Sequence, residues 1–179
     1  PRIIYFQWFR SGRESQKMRI SINNFQSAYA LNTKKARKLL LFFARNLPGR
    51  TEKWSEISLI IMGDADIAVI NSIYFGRNLP TDVISLKYPP IPGEYGQPGG
   101  EIYVNIQRAV TICRRRTSWT PSRELALYIA HGCDHLSGMD DRTLRERGRM
   151  RRMDLRWLAK AMASGLVSNL VPARQRRIT

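Results

Sequence analysis

The only two histidines of this 179-residue chain stand four residues apart, in His131-Gly132-Cys133-Asp134-His135, and Asp141 follows six residues after the second. On a helix, positions i and i+4 share one face a turn apart. Two imidazoles so placed can hold one metal ion. Gly138 can end the helix in the left-handed conformation that glycine tolerates, and the chain can then turn back to bring Asp141 to the same ion. Two nitrogens and one carboxylate oxygen leave a fourth position open, the pattern of catalytic rather than structural zinc. The bland alternative is a surface pair of histidines followed by an Asp-Asp that caps the next helix. A zinc protease of the His-Glu-x-x-His kind carries its general base directly after the first His. Gly132 occupies that place, which argues against proteolysis.

Charge narrows the partners. Thirty Lys+Arg against fourteen Asp+Glu give a formal net charge of +16, which points to a polyanion such as RNA, DNA or an anionic membrane surface. Eleven basic residues lie between Arg142 and Thr179 against only Glu146 and Asp154, so that segment holds more than half of the excess. Cys113 and Cys133 are too few for a disulfide framework and suggest a reducing compartment. Cys133 turns away from the histidine face and reads as a small core residue. No apolar run approaches the roughly 20 residues that span a bilayer. The opening Ile3 to Phe9 is short and has no small-residue cleavage site, so it does not read as a signal peptide.

These groups need elements to position them. Residues 1–17 show no lasting period and read as an N-terminal extension, with Met18 as an alternative start. Arg19 to Asn24 alternates polar and apolar residues, as a strand does. A helix is expected over Lys34 to Asn46, with a stripe of Ala36, Leu39, Leu40, Phe43, Ala44 and Leu47, a cap at Thr33 and an end at Pro48-Gly49. Ile57 to Met62 reads as a strand buried on both faces. Asp64 caps a second helix over Ala65 to Phe75, with Ile67, Ile70 and Tyr74 on its core side. A turn-rich loop runs from Pro89 to Gly100. Glu101 to Gln107 alternates again, and a short helix over Arg108 to Arg115 runs into Arg114-Arg115-Arg116. Thr120-Pro121 opens the histidine helix, with Pro at its favoured first position. Leu125, Ile129, Gly132 and Leu136 mark its packing face, and Glu124, Tyr128, His131 and His135 another. A last helix is expected from Arg142 to Ser164, with Trp157, Leu158, Ala161 and Met162 in the core and Gly165 as its stop. The alternation of strands and helices gives an α+β single domain, a small mixed β-sheet flanked by helices, with the metal site at the end of a helix. The chain divides into an extension (1–17), the domain proper (18–165) and a basic C-terminal tail (166–179).

Two segments in order resemble one family. Asn71 to Ser85 (NSIYFGRNLPTDVIS) is similar to the Asn-x-x-Tyr-Arg-x-x-x-x-Pro-Thr-Asp-Val-Leu-Ser segment of the YbeY rRNA-maturation endoribonucleases, and His131 to Asp141 to their His-Gly-x-x-His-Leu-x-Gly-x-Asp-His signature. Gly100-Glu101-Ile102 resembles the Gly-Asp-Ile that begins their later strand. The resemblance covers roughly residues 18 to 164. It implies a metal-dependent single-strand endoribonuclease acting in rRNA maturation and ribosome quality control in the cytoplasm or an organelle, with RNA and the ribosomal subunit as partners and no membrane. It implies one zinc per chain on His131, His135 and the third-ligand position. That position is Asp141 here and histidine in the family, so another divalent metal becomes possible. Phe75 stands where the family has an Arg thought to act on the phosphate, and Arg77, two residues on, is the candidate to replace it. The catalytic set is then Arg77, His131 and His135. The nucleophile is either a metal-activated water or the RNA 2′-OH. Arg77, Arg114, Arg115 and Arg116 would hold the RNA backbone, Tyr88, Tyr95 and Tyr103 are candidates to stack on bases, and Thr81, Asp82 and Ser85 would brace the loop beside the metal. A rival reading is an rRNA- or ribosome-binding factor that keeps the fold with weakened catalysis.

Overall fold

The structure is a computed structural model that describes residues 18–46, 54–89, 98–114 and 119–172. The elements are β1 (Arg19–Asn24), α1 (Thr33–Asn46), β2 (Glu56–Met62), α2 (Asp64–Phe75), β3 (Val83–Tyr88), β4 (Gly99–Asn105), α3 (Ile106–Cys113), α4 (Pro121–Leu136) and α5 (Leu144–Ala163). The strands form one mixed sheet in the order β1-β2-β4-β3. β1 and β4 run parallel to β2, and β3 runs antiparallel to β4 along one edge. Among the described residues, five helices and a four-stranded mixed sheet make the expected α+β class.

The side-chain period of two divides β2 between two cores. Ile57, Leu59 and Ile61 point one way and join Ile102 and Val104 of β4 with α1, α3, α4 and α5. Ile60 and Met62 point the other way and meet Ile84 of β3 and Ile67 of α2. This is why β2 reads as a continuous apolar run while its neighbours alternate.

Several local expectations shift. Asn32 caps α1, its side chain accepting from Lys35 N at 3.0 Å, one residue before Thr33. The N-cap of α2 is Gly63, and Asp64 sits in the first turn. Tyr74 is half exposed, and Met162 lies at the surface rather than in the core. The short helix α3 starts two residues earlier than its period suggests, because Asn105 ends β4 and its side chain caps α3 through Arg108 N at 2.9 Å. β3 is a strand over Val83–Tyr88, a segment with no strand expected from its sequence.

The central element is α4. It is buried on nearly all sides, Glu124 and Tyr128 included, rather than along one stripe. Its first face lies on β3 and β4. Gly132 makes that approach possible, since a Cβ there would lie 2.5 Å from an Ile102 methyl and 3.0 Å from Ser85 Oγ. Ser85 Oγ instead donates to the Gly132 carbonyl at 3.0 Å. The opposite face is covered by Met150, Asp154, Leu158 and Ala161 of α5. Packing continues past residue 165, where Val167 and Leu170 are buried in the main core and Asn32 N donates to the Leu170 carbonyl at 2.9 Å. The extension 1–17, the α1 stop at Pro48-Gly49 with Leu47, Tyr95, Arg115, Arg116 and residues 173–179 lie outside the described residues.

Candidate metal centre

The end of α4 is built as its sequence suggests. Thr120 caps the start, accepting from Arg123 N at 3.2 Å, and Pro121 takes the first turn. At the other end Ser137 is the C-cap, and Gly138 follows at φ +88°, which only glycine adopts at little cost. The reversal is tied by Gly138 N to the His135 carbonyl (2.9 Å) and Met139 N to the Asp134 carbonyl (3.1 Å). Asp140 Oδ1 accepts from Asp141 N at 2.8 Å, and Arg142 pairs with Asp140 at 2.8 Å. A capping box between Thr143 and Glu146 then starts α5.

This turn brings the three candidate ligands together. One donor atom each from His131, His135 and Asp141 lies within 4.8 Å of the others, against roughly 3.4 Å between two ligands of a tetrahedral zinc with bonds near 2.1 Å. The hydrogen bonds decide which ring nitrogens are available. His135 Nδ1 lies 3.1 Å from the Met139 carbonyl, which can only accept, so that nitrogen carries the proton. His131 Nδ1 lies 3.1 Å from Asp154 Oδ2, a carboxylate that fixes the same tautomer. Both Nε2 lone pairs are left to a ligand, and His131 Nε2 faces Asp141 Oδ2 at 4.0 Å. A carbonyl or carboxylate behind each imidazole is the usual outer support of a histidine–metal bond. The donor set therefore fits a divalent cation, and its carboxylate leaves the choice of metal open.

Electrostatics separates the two rings. Burial lowers the His135 pKa, and the neighbouring His131 pushes it down further. Burial acts on His131 in the same direction, but Asp154, Asp82 and Asp141 outweigh it and its pKa is raised. Beneath them Asp134 is fully buried, and burial followed by the adjoining Asp154 raises its pKa. A divalent cation would relieve this accumulation of carboxylates.

Beside His131 opens a cleft of about 270 Å³ lined by Asp82, Glu124, Leu127, Tyr128, His131, Asp141, Arg147, Arg151 and Asp154. Asp82 reaches it on a braced loop. Asn71 Nδ2 donates to the Leu79 carbonyl at 2.7 Å. The fully buried Asn105 donates to Asp64 Oδ1 (2.6 Å) and to the Thr81 carbonyl (3.0 Å). Thr81 Oγ1 donates to Asp82 Oδ1 at 3.0 Å. Arg77 is exposed on the turn after α2, outside this lining. Arg114 is exposed at the end of α3 and faces a separate apolar groove. Tyr88 and Tyr103 both donate to Glu101 Oε2, at 2.7 and 2.6 Å.

The family model for Endoribonuclease YbeY matches residues 20–162. The chain belongs to the YbeY endoribonuclease family. Similar curated proteins carry the same name. The chain is 34% identical to Endoribonuclease YbeY of Moorella thermoacetica over 139 residues, 70% of this chain and 86% of that one. It is 30% identical to that of Solibacter usitatus, covering 72% and 82%, and 35% identical to that of Elusimicrobium minutum, covering 55% and 68%. A solution structure from Thermotoga maritima is similar in fold, with a TM-score of 0.50 and 20% identity over 89% of this chain and all of that one. Among the described residues no helix is long and apolar enough to cross a membrane.

The YbeY signature gave the three candidate ligands but not their support. Asp154, Arg147 and Arg151 come from α5, and Asp82 and Glu124 complete the rim. One signal was readable. Met150, Asp154, Leu158 and Ala161 recur at core spacing, and a carboxylate within such a stripe needs a partner. The two arginines had no such signal among the many of α5.

Proposed function

We propose that the protein is a metal-dependent endoribonuclease specific for single-stranded RNA, acting in rRNA maturation and ribosome quality control. It would work on ribosomal RNA and the ribosomal subunit, in the cytoplasm or an organelle. His131, His135 and Asp141 hold one divalent ion, zinc in the first place, with another metal open because Asp141 is a hard oxygen donor. The observation that carries the reading is the tautomer lock: each imidazole has its Nδ1 on an acceptor, which leaves both Nε2 lone pairs free for a ligand, with His131 Nε2 4.0 Å from Asp141 Oδ2 and one donor atom of each of the three residues within 4.8 Å of the others.

The ion would supply a Lewis acid that polarises a phosphate oxygen and acidifies water. The remaining work falls to the chain. Asp154 and the Met139 carbonyl hold the two rings in orientation. The braced 79–82 segment sets Asp82 at the mouth of the cleft. Arg77, Arg114 and the basic helix α5 would hold the RNA backbone on either side without reading its sequence.

Elemental analysis of protein purified without a metal-affinity tag, together with cleavage of a labelled single-stranded RNA, tests this. One equivalent of zinc that disappears in His135→Ala, with cleavage abolished by chelator and restored by metal, is the expected result. Wild type that takes up no metal when zinc is offered overturns it. The reading then left is the RNA-binding factor with weakened catalysis, which the replacement of a histidine by Asp141 favours.

A further inference from the structure

The cleft beside His131 has a charge problem. Asp82, Glu124, Asp141 and Asp154 line it, and four carboxylates around one opening repel a phosphate. Among the described residues only two cations line the same cleft, Arg147 and Arg151. They lie four residues apart on α5 and so share one face. Asp154, which holds His131, completes that face three residues after Arg151.

The two arginines are held differently. Arg147 Nη1 donates to the carbonyls of Arg142 (3.1 Å) and Asp141 (3.4 Å), which straps it to the turn that carries the third candidate ligand. Arg151 is exposed and forms no hydrogen bond or ion pair among the described residues. Its guanidinium is a planar fork that fits two phosphate oxygens. The two arginines offset half of the formal negative charge of the rim, and a divalent ion on the triad would offset the rest. The filled cleft could then accept an anion.

We infer that Arg151 contacts the RNA phosphate at the reacting centre and that Arg147 is a positioning residue that fixes the Asp141 turn. The cation for the reacting phosphate therefore comes from α5 rather than from the α2–β3 turn, where Arg77 is exposed. This inference rests on the endoribonuclease reading of the cleft.

The test uses Arg151→Ala, Arg151→Lys and Arg147→Ala of the full chain. It reads cleavage of a labelled single-stranded RNA, zinc affinity, and binding of a fully 2′-O-methylated phosphorothioate RNA, which resists cleavage, to the zinc-loaded protein. Arg151→Ala should lower kcat by about 100-fold or more with zinc affinity unchanged, the size seen when one preorganised donor to developing charge is lost. Arg151→Lys, a point charge without the fork, should recover only a minor part. Binding of the non-cleavable RNA should weaken several-fold, with about one unit taken off the salt slope. Arg147→Ala should instead weaken zinc several-fold, as outer supports of a metal site do. Cleavage by Arg151→Ala within threefold of wild type overturns the inference. If wild type binds zinc and cleaves no RNA, the endoribonuclease reading falls separately. Binding of the methylated RNA then decides whether Arg151 still meets a phosphate, and an unaltered affinity in Arg151→Ala overturns that too.

Discussion

The two faces of the sheet are built to different standards. On one, Leu59, Ile61, Ile102 and Val104 meet α1 and α4, with α3 and α5 packed beyond, in a core that closes around a central helix. On the other, Ile60, Met62 and Ile84 meet α2 through Ile67 and little else. α2 turns Val69, Ile73 and Phe75 outward, with Leu79 beyond its end. The candidate metal centre belongs to the crowded face. Three candidate ligands and their supports would have to keep their places to a fraction of an ångström to hold an ion, and an element packed on all sides holds its side chains better than one packed on a single side. The thin face carries the loop brace, through the Asn71 side chain and through Asn105, which donates to Asp64 at the start of α2.

That contrast can be broken on purpose. Ile102→Ala, at the contact between β4 and Gly132, should cost about 4 kcal/mol in urea unfolding, and Ile84→Ala on the α2 side about 2 kcal/mol, since a site under one helix collapses more readily around a cavity. Equal losses at the two positions would abolish the distinction. Asn105→Ala removes a fully buried amide that joins α2, the 81–82 loop and the start of α3, and leaves buried partners unsatisfied. A loss of about 3 kcal/mol is expected, together with weaker RNA cleavage as Asp82 is released. Gly132→Ala forces a methyl to within 2.5 Å of Ile102. About 2 kcal/mol of overpacking strain should appear, and zinc affinity should fall as the helix is pushed off the sheet. A variant as stable as wild type would mean that α4 is less firmly seated than its contacts indicate. Ile73→Ser, on the exposed side of α2, should change stability by no more than about 0.5 kcal/mol.

At the two ends of α4, where contacts are short in sequence, the expectations and the structure coincide, although the caps expected at Thr33 and Asp64 each lie one residue earlier, at Asn32 and Gly63. The His131–Asp141 turn, the Thr120 cap, Pro121 and the Gly138 stop are all decided within a few residues, because helix-capping chemistry is local. Cys133 as a core residue follows from the same helical period. The misses have a common cause. The spacing of Tyr74 from Ile67 and Ile70 predicts an inward side chain, but α2 meets the sheet along a narrower line than its apolar residues would allow. β3 gives little signal in the sequence because Val83 and Ser85 face α4 while Ile84 and Leu86 face the α2 side, so both faces carry apolar residues.

By itself the sequence determined the spacing of His131, His135 and Asp141, the helix that carries the two histidines, the mixed α+β class and a formal net charge of +16. It also contained the argument against a protease, and the structure gives Gly132 a second meaning as the point where α4 touches the sheet. Only the tertiary structure decided which groups stand behind and around the candidate ligands. Ser85 meets Gly132 across 47 positions, and His131 meets Asp154 across 23. Periodicity says that a helix has an apolar side, but it does not say which helix will cover it. The packing of α5 on α4 made that choice, and with it selected Asp154, Arg147 and Arg151 from a helix whose many charges look alike in the sequence.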